Sequence, residues 1–145
     1  MKLICFFLKN FSFFKFDSLI NLFSTDSMGI GRYFLYYNLI SIKNNFRMFI
    51  RTLVPSSMII TSIINIYPGC NWLEREIWDF FGIFFYEHGD LRRILTDYGF
   101  EGHPFRKDFP QTGFIEVRYD DEIKLVKYEF LEIVQEHRCY DFNNS

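Results

Sequence analysis

No Cys-x-x-Cys occurs in this chain, and its three cysteines, Cys5, Cys70 and Cys139, stand far apart. That spacing removes the usual cradle for zinc or an iron–sulfur cluster. An odd number of scattered thiols also points to a reducing compartment with all three free. Long hydrophobic runs are missing too. At the N-terminus the longest, Leu3 to Leu8, holds six residues before Lys9 interrupts it. A secretory h-region needs more, and a membrane span needs about 20. The same segment carries Lys2, Lys9 and Lys15 with no acid before Asp17, as a presequence would. It has no Arg, however, and its apolar residues fall in Phe-Phe pairs rather than along one helical stripe. We read no targeting signal there, which leaves synthesis in the working compartment as an option. Gly-x-Ser-x-Gly, a glycine-rich phosphate loop, internal repeats and low-complexity tracts are all absent from the sequence.

What is present is one domain's worth of chain, 145 residues, with aromatics at 21% and 20 phenylalanines. A monomer this small cannot hide so many rings, so part of its apolar surface is expected to be covered by partners. Biased base composition is the competing reading, since an AT-rich genome over-supplies Phe, Ile, Asn, Lys and Tyr. The two are compatible. Net charge is only −2, but residues 1–73 hold seven Lys/Arg and two acids, whereas residues 74–145 hold nine and sixteen. An acidic half argues against nucleic acid as the main partner. It suits docking onto a basic protein surface, or simply forms a solvated face.

Periodicity organises the chain. Phe16 to Phe23 places apolar residues at 16, 19, 20 and 23, a helical spacing closed by Asp26, Gly29 and Gly31. Arg32 to Ile42 is aromatic and β-prone, and Phe46 to Val54 alternates. Around Lys43-Asn44-Asn45 they predict a β-hairpin with one buried face. After Pro55-Ser56-Ser57 a short apolar helix is expected over Met58–Ile66, cut by Tyr67-Pro68-Gly69. A second helix is expected from Asn71, with Asn71 and Glu74 forming a capping box. Leu73, Ile77, Phe80, Phe81 and Phe84 would face the sheet, and Gly82 would end the helix. Residues 86–113 carry too many Gly and Pro for a regular element. Phe114–Tyr119 alternates as a strand, Asp120-Asp121-Glu122 turns, and Lys124–Glu136 is an extended tail. The fold class expected is α+β: a small mixed or antiparallel sheet with two or three short helices packed on it, followed by an extended C-terminal arm. Residues 1–86 would be the α+β domain and 87–145 an irregular partner-binding loop, a short strand and the tail.

The polar residues of 74–110 offer little chemistry of their own. Glu74 and Glu76 diverge by about 200° on a helix, so they make a poor acid–base pair. Arg75 and Asp79, four apart, are expected to pair across one turn. His88, flanked by Glu87 and Asp90, lacks metal-ligand spacing, and His103-Pro104 is expected to turn while presenting a polar contact. Arg92, Arg93, Arg106 and Lys107 are interleaved with Asp90, Asp97, Glu101 and Asp108, which fits an interface ion-pair network better than a phosphate site. A small soluble redox or metal-dependent enzyme using the Glu-Arg-Glu helix and His88 stays open as the alternative.

The string itself is specific. Glu74-Arg75-Glu76-x-x-Asp79, an aromatic pair, Gly82, His88 and Asp90-Leu-Arg-Arg-Ile-Leu lead into Thr96-Asp-Tyr-Gly-Phe-Glu-Gly-His-Pro-x-Arg-Lys-Asp-Phe-Pro110. Thr112-Gly-Phe-x-Glu-Val-Arg118-Tyr-Asp follows, and Gln135-Glu136-x-Arg138 lies near the end. This resembles the 30-kDa subunit of respiratory complex I, the proton-pumping NADH:ubiquinone oxidoreductase, in its mitochondrial branch. The likeness is unbroken over residues 71–122 and intermittent from about 16 to 142. It implies a non-catalytic core subunit of the hydrophilic arm that binds no metal, flavin or cluster of its own. FMN, iron–sulfur clusters, NADH and ubiquinone would belong to the assembled complex. The implied partners are the 49-kDa subunit and the chain carrying the terminal cluster, with membrane contact only through the complex on the matrix side of the inner membrane. The implied interface comprises Glu74, Arg75, Glu76, Asp79, His88, Asp90, Arg92, Arg93, Asp97, Glu101, His103, Arg106, Lys107, Asp108 and Arg118. Two departures stand out. Gly89 replaces the family's usual Pro, which is expected to loosen that turn, and the N-terminal portion is short, so its first helix and strand are expected to be reduced or replaced by another subunit.

Overall fold

The structure is a computed structural model and describes residues 1–28, 31–56 and 59–132. His137, Cys139 and the Gln135–Arg138 string lie outside the described residues. Two compact units divide the chain, Met1–Lys107 and Asp108–Ser145.

In the first unit, β1 (Ser18–Asp26), β2 (Tyr33–Ser41) and β3 (Phe46–Val54) form an antiparallel sheet in that order. The expected hairpin is there, in register from Tyr33↔Val54 to Ser41↔Phe46. Asn45 turns it at φ 53, a left-handed conformation Asn tolerates. β2 alternates without a break: Tyr33, Leu35, Tyr37, Leu39 and Ser41 are buried while their neighbours face outward. β1 corrects the helical reading of Phe16–Phe23. Its register slips between Leu19 and Asn21, so Ile20 is an extra residue that changes the phase of the strand. A strand interrupted this way puts apolar residues at 19, 20, 22 and 23, which mimics helical spacing.

Two helices cover the inner face. α1 (Lys2–Asn10) covers a segment to which the sequence reading assigned no element; it buries Cys5 and Leu8 and leaves Leu3, Ile4, Phe6 and Phe7 exposed. α2 (Cys70–Phe81) packs against β1 and buries Ile77 and Phe81, and Leu73 and Phe80 are packed against the same core. Gly82, at φ 72, ends it by donating its N–H to Trp78 O at 2.9 Å, as expected from sequence. Phe84 lies beyond that left-handed turn and is exposed, so it does not continue the helix face.

The helix expected over Met58–Ile66 is absent from its described part. Ile60–Thr61 is instead a short strand, β4, parallel to β5 (Phe85–Tyr86). The chain then turns through Ile63–Tyr67, with the N–H groups of Ile66 and Tyr67 both donating to Ile63 O at 2.9 Å. Residues 87–107 carry no strand or helix and fold back on the end of α2.

The second unit is a hairpin. β6 (Ile115–Asp120) pairs with β7 (Leu125–Phe130), so the segment expected as an extended tail is strand up to Phe130. The α+β class with a three-stranded antiparallel sheet and two packed helices agrees with the sequence reading.

Candidate functional site

The polar string of α2 and the following loop resolves into two buried carboxylates. Asp79 has no solvent exposure. Its Oδ2 accepts the backbone N–H groups of Ile94, Leu95 and Thr96 at 3.2, 2.8 and 2.9 Å. Its Oδ1 accepts the Thr96 hydroxyl at 2.6 Å and the Arg93 guanidinium at 3.1 Å. Burial opposes ionisation of this carboxyl. The Thr96 hydroxyl and the three N–H donors outweigh it and hold the group below the usual carboxylate range. Five donors on one carboxylate make the loop a cap over the end of α2.

Other bonds complete the closure. Arg93 Nη2 donates to Gly102 O at 2.8 Å, and Arg106 Nε donates to Phe81 O at 2.7 Å. The Phe105 N–H reaches Phe80 O at 3.1 Å, and the two rings stack with centroids 4.1 Å apart. His103 Nδ1 lies 2.9 Å from Asp79 O, with its ring edge-on to Trp78. Burial lowers the pKa of His103, and the Arg106 and Arg93 cations add to the shift against the opposing Asp79 contacts. Asp26 Oδ2 accepts the Lys107 N–H at 3.0 Å, which ties the loop's end to the edge of the sheet.

Glu74 is equally buried, and it corrects the capping-box reading. α2 begins one residue earlier than expected, has Gly69 at its N-cap and shows no side-chain cap. Glu74 instead turns into the core, where it accepts the Ser62 hydroxyl at 2.6 Å, the Ile63 N–H at 2.9 Å and the Cys70 thiol at 3.2 Å. It therefore satisfies the bend after β4 and the thiol at the start of its own helix. Burial, then the Glu74 charge, pushes the Cys70 thiol far up, which leaves it unreactive. His88 Nε2 sits 3.9 Å from Glu74 and 3.3 Å from Asn71 O, while its Nδ1 accepts the Asp90 N–H at 3.1 Å.

Arg75 does not pair with Asp79 as expected; its Nε donates to Arg92 O at 3.3 Å and its guanidinium lies over Trp72. Glu76 is half-buried. Arg92 pairs with Asp90 at 3.0 Å on the surface, and Asp97, Glu101, Lys107 and Asp108 are exposed. Arg118, in the second unit, pairs across the hairpin with Glu129 at 2.8 Å. Asp79, Arg93, His103 and Arg106 are thus drawn together at the end of α2, Glu74 is held separately under the bend after β4, and Asp90, Arg92, Asp97, Glu101 and Lys107 are exposed on the first unit. Sequence reasoning missed Ser62, Cys70, Thr96 and Asp26 as partners. The bonds of Ser62, Thr96 and Asp26 span 12, 17 and 81 positions, which no local spacing signals, whereas Cys70 and Glu74 are four apart on α2. Among the described residues no cluster of three or more His, Cys, Asp or Glu is placed to hold a metal ion. Cys5 and Cys70 are buried free thiols.

The second unit offers a different surface. Ile115, Val117 and Tyr119 lie opposite Phe130, Tyr128 and Val126, making one wholly apolar face. All six side chains are exposed, up to 83% for Phe130. The reverse face carries Arg118–Glu129 and Lys127–Asp120 ion pairs.

The family model described as "Respiratory-chain NADH dehydrogenase, 30 Kd subunit" matches residues 1–115. NADH-ubiquinone oxidoreductase subunit 9 of Acanthamoeba castellanii is 57% identical over 115 residues, which is 79% of this chain and 58% of that protein. NADH-ubiquinone oxidoreductase subunit 9 of Reclinomonas americana is 48% identical over 138 residues, covering 94% of this chain and 68% of that one. NADH dehydrogenase [ubiquinone] iron-sulfur protein 3 of Beta trigyna is 47% identical over 142 residues, covering 97% and 73%. The chain therefore spans between 58% and 73% of the length of these relatives.

Proposed function

This chain belongs to the 30 kDa subunit family of respiratory-chain NADH dehydrogenase, and from that premise we propose that it is a non-catalytic core subunit of the peripheral arm of NADH:ubiquinone oxidoreductase. In this reading it braces the quinone-reducing module while electrons pass from NADH to ubiquinone and protons are translocated. Its partners are other subunits of the complex, chiefly the 49-kDa subunit and the chain carrying the terminal iron–sulfur cluster. It binds no cofactor itself; FMN, the clusters, NADH and ubiquinone are held by its neighbours. It sits on the matrix side of the mitochondrial inner membrane through the complex. No helix among the described residues is long and apolar enough to cross a membrane.

One observation carries this reading. The ionisable groups that local sequence offers for chemistry are consumed in holding the loop, and an apolar hairpin face is left exposed. Glu74 and Asp79 are both closed off by donors from their own unit. A reaction centre needs a group that can reach substrate; a brace needs a rigid loop and an apolar surface. Nothing in the geometry favours a redox or metal enzyme built on Glu74 and His88. The exposed acids and bases of the loop, Asp90, Arg92, Asp97, Glu101 and Lys107, are then polar partner contacts of the first unit, and Asp108 and Arg118 are partner contacts of the second.

The test is assembly against turnover. On a native gel of inner-membrane extract the chain is expected to co-migrate with NADH dehydrogenase activity. Arg93→Ala, which frees the loop, and Asp108→Ala are expected to reduce the amount of assembled enzyme more than the turnover of each assembled complex. A free monomer without partners, or normal assembly with abolished turnover, would overturn the reading.

A further inference from the structure

The outer face of the three-stranded sheet has a composition that the loop and hairpin contacts do not use. Both helices lie on the inner face, so the outward residues of the strands meet solvent. Paired residues run across it in rows: Asn21, Asn38 and Phe49; Phe23, Tyr36 and Arg51; Thr25, Phe34 and Leu53. Phe23 and Tyr36 stack at 4.9 Å and 10°, and the Arg51 guanidinium lies 5.1 Å over the Phe34 ring. Phe49 is 61% exposed and Leu53 44%. Arg47 and Arg51 alternate with Phe49 and Leu53 on this face of β3. No acid of the sheet opposes them, because the only carboxylates of residues 1–73 are Asp17, ahead of β1, and Asp26, which is buried on the inner side.

We propose that this face is a second docking surface, for a partner protein that lays an amphipathic helix with carboxylates along one side across Phe23, Tyr36, Phe49 and Leu53. Charge complementarity selects that occupant. Two arginines four positions apart on a strand are about 13 Å apart, a distance that about two and a half helical turns span. A second copy of the chain would bring arginine against arginine, which is unfavourable. A lipid surface is recognised by clusters of about four or more basic residues, and this strip has only Arg47 and Arg51. Single-stranded nucleic acid needs open ring faces to stack on. Here the Tyr36 ring is stacked by Phe23 and the Phe34 ring by Arg51.

The inference rests on the chain being a subunit of a larger assembly, and the experiment separates the two. The full-length chain, carrying a photo-activatable benzoylphenylalanine at position 49, is expressed in place of the native one and the complex is resolved on a native gel. Co-migration tests the subunit reading; the adduct formed on irradiation tests this one. A cross-linked peptide from another protein, helical in pattern and containing at least two acidic residues, is expected. Arg47→Glu together with Arg51→Glu should reduce the cross-link yield about tenfold, and reversing the partner's acids to Lys should restore it. If that double variant melts at a lower temperature than the parent, Arg47→Gln with Arg51→Gln replaces it in the same assay. A co-migrating chain that yields no protein adduct overturns the proposal while leaving the subunit reading intact. So does one that yields a nucleotide, a lipid or a second copy of itself, or one whose yield ignores the arginines.

Discussion

Asp79 shows why charge spacing along a helix misled. An acid four residues after an arginine suggests an ion pair worth about 0.2–0.5 kcal/mol. The structure offers this carboxylate three backbone donors, a hydroxyl and a guanidinium from residues 93–96, and burial makes that set far stronger. Replacing it leaves several buried donors without an acceptor. Asp79→Ala is therefore expected to destabilise the chain by about 3–5 kcal/mol, and Asp79→Asn by less, because it keeps one acceptor oxygen. Urea denaturation followed by tryptophan fluorescence measures both. The folded pKa of Asp79 lies below its unfolded value, so its contribution is complete above about pH 4 and is lost as pH falls through the folded pKa. Asp79→Asn should flatten that acid limb. His103 acts on the same side at higher pH. Its folded pKa is lowered, so its stabilisation is present above about pH 6.5 and lost as pH falls from there. In thermal melts between pH 7 and 5, His103→Gln should lose less melting temperature than the parent does.

For the helices and strands, legibility followed how local the signal was. The β2–β3 hairpin was readable because its register is set by a four-residue turn and an unbroken alternation. The end of α2 was readable because Gly82 supplies the left-handed residue the stop requires. A Cβ at Gly82 would strain that backbone and overlap the Arg106 guanidinium and the His103 ring. Gly82→Ala is expected to cost about 1–3 kcal/mol. Gly89 is the contrast: an added Cβ meets nothing within 4 Å, and its φ is not left-handed. Gly89→Ala is expected to be neutral or to stabilise by up to about 1 kcal/mol, through the unfolded chain. Paired melts of the two variants check both. β1 and the segment after Pro55 were misread, and α1 was left unassigned, for one shared reason. Each is short, apolar on more than one side, and given its conformation by what it packs against. A bulge at Ile20 erased the period of β1, and Glu74 held Ser62 and Ile63 out of a helix.

Taken whole, the chain is a cored first unit followed by a second unit whose described residues form a hairpin and include no buried apolar side chain. A two-stranded ribbon is marginal by itself, so six exposed apolar side chains on one face of β6–β7 require a cover. Val117→Asp is expected to lower the yield of assembled complex on a native gel severalfold while leaving the melting temperature of the first unit unchanged. Failure of that expectation would mean the face is not part of the assembly contact.

Composition and local pattern were enough to establish an α+β chain with a hairpin, a glycine-stopped helix and a long irregular loop rich in specific polar residues. That same string of residues carried the family. These features depend on neighbours within a turn or a strand pair, which a linear sequence displays. Only the tertiary structure decided where the charges point. Glu74 and Asp79 look like a solvated helix start, yet both are buried, because acceptors are needed by backbone N–H groups that the fold brings from 11 and 17 positions away. Burial and long-range hydrogen bonding are properties of the packed chain, and no spacing rule records them.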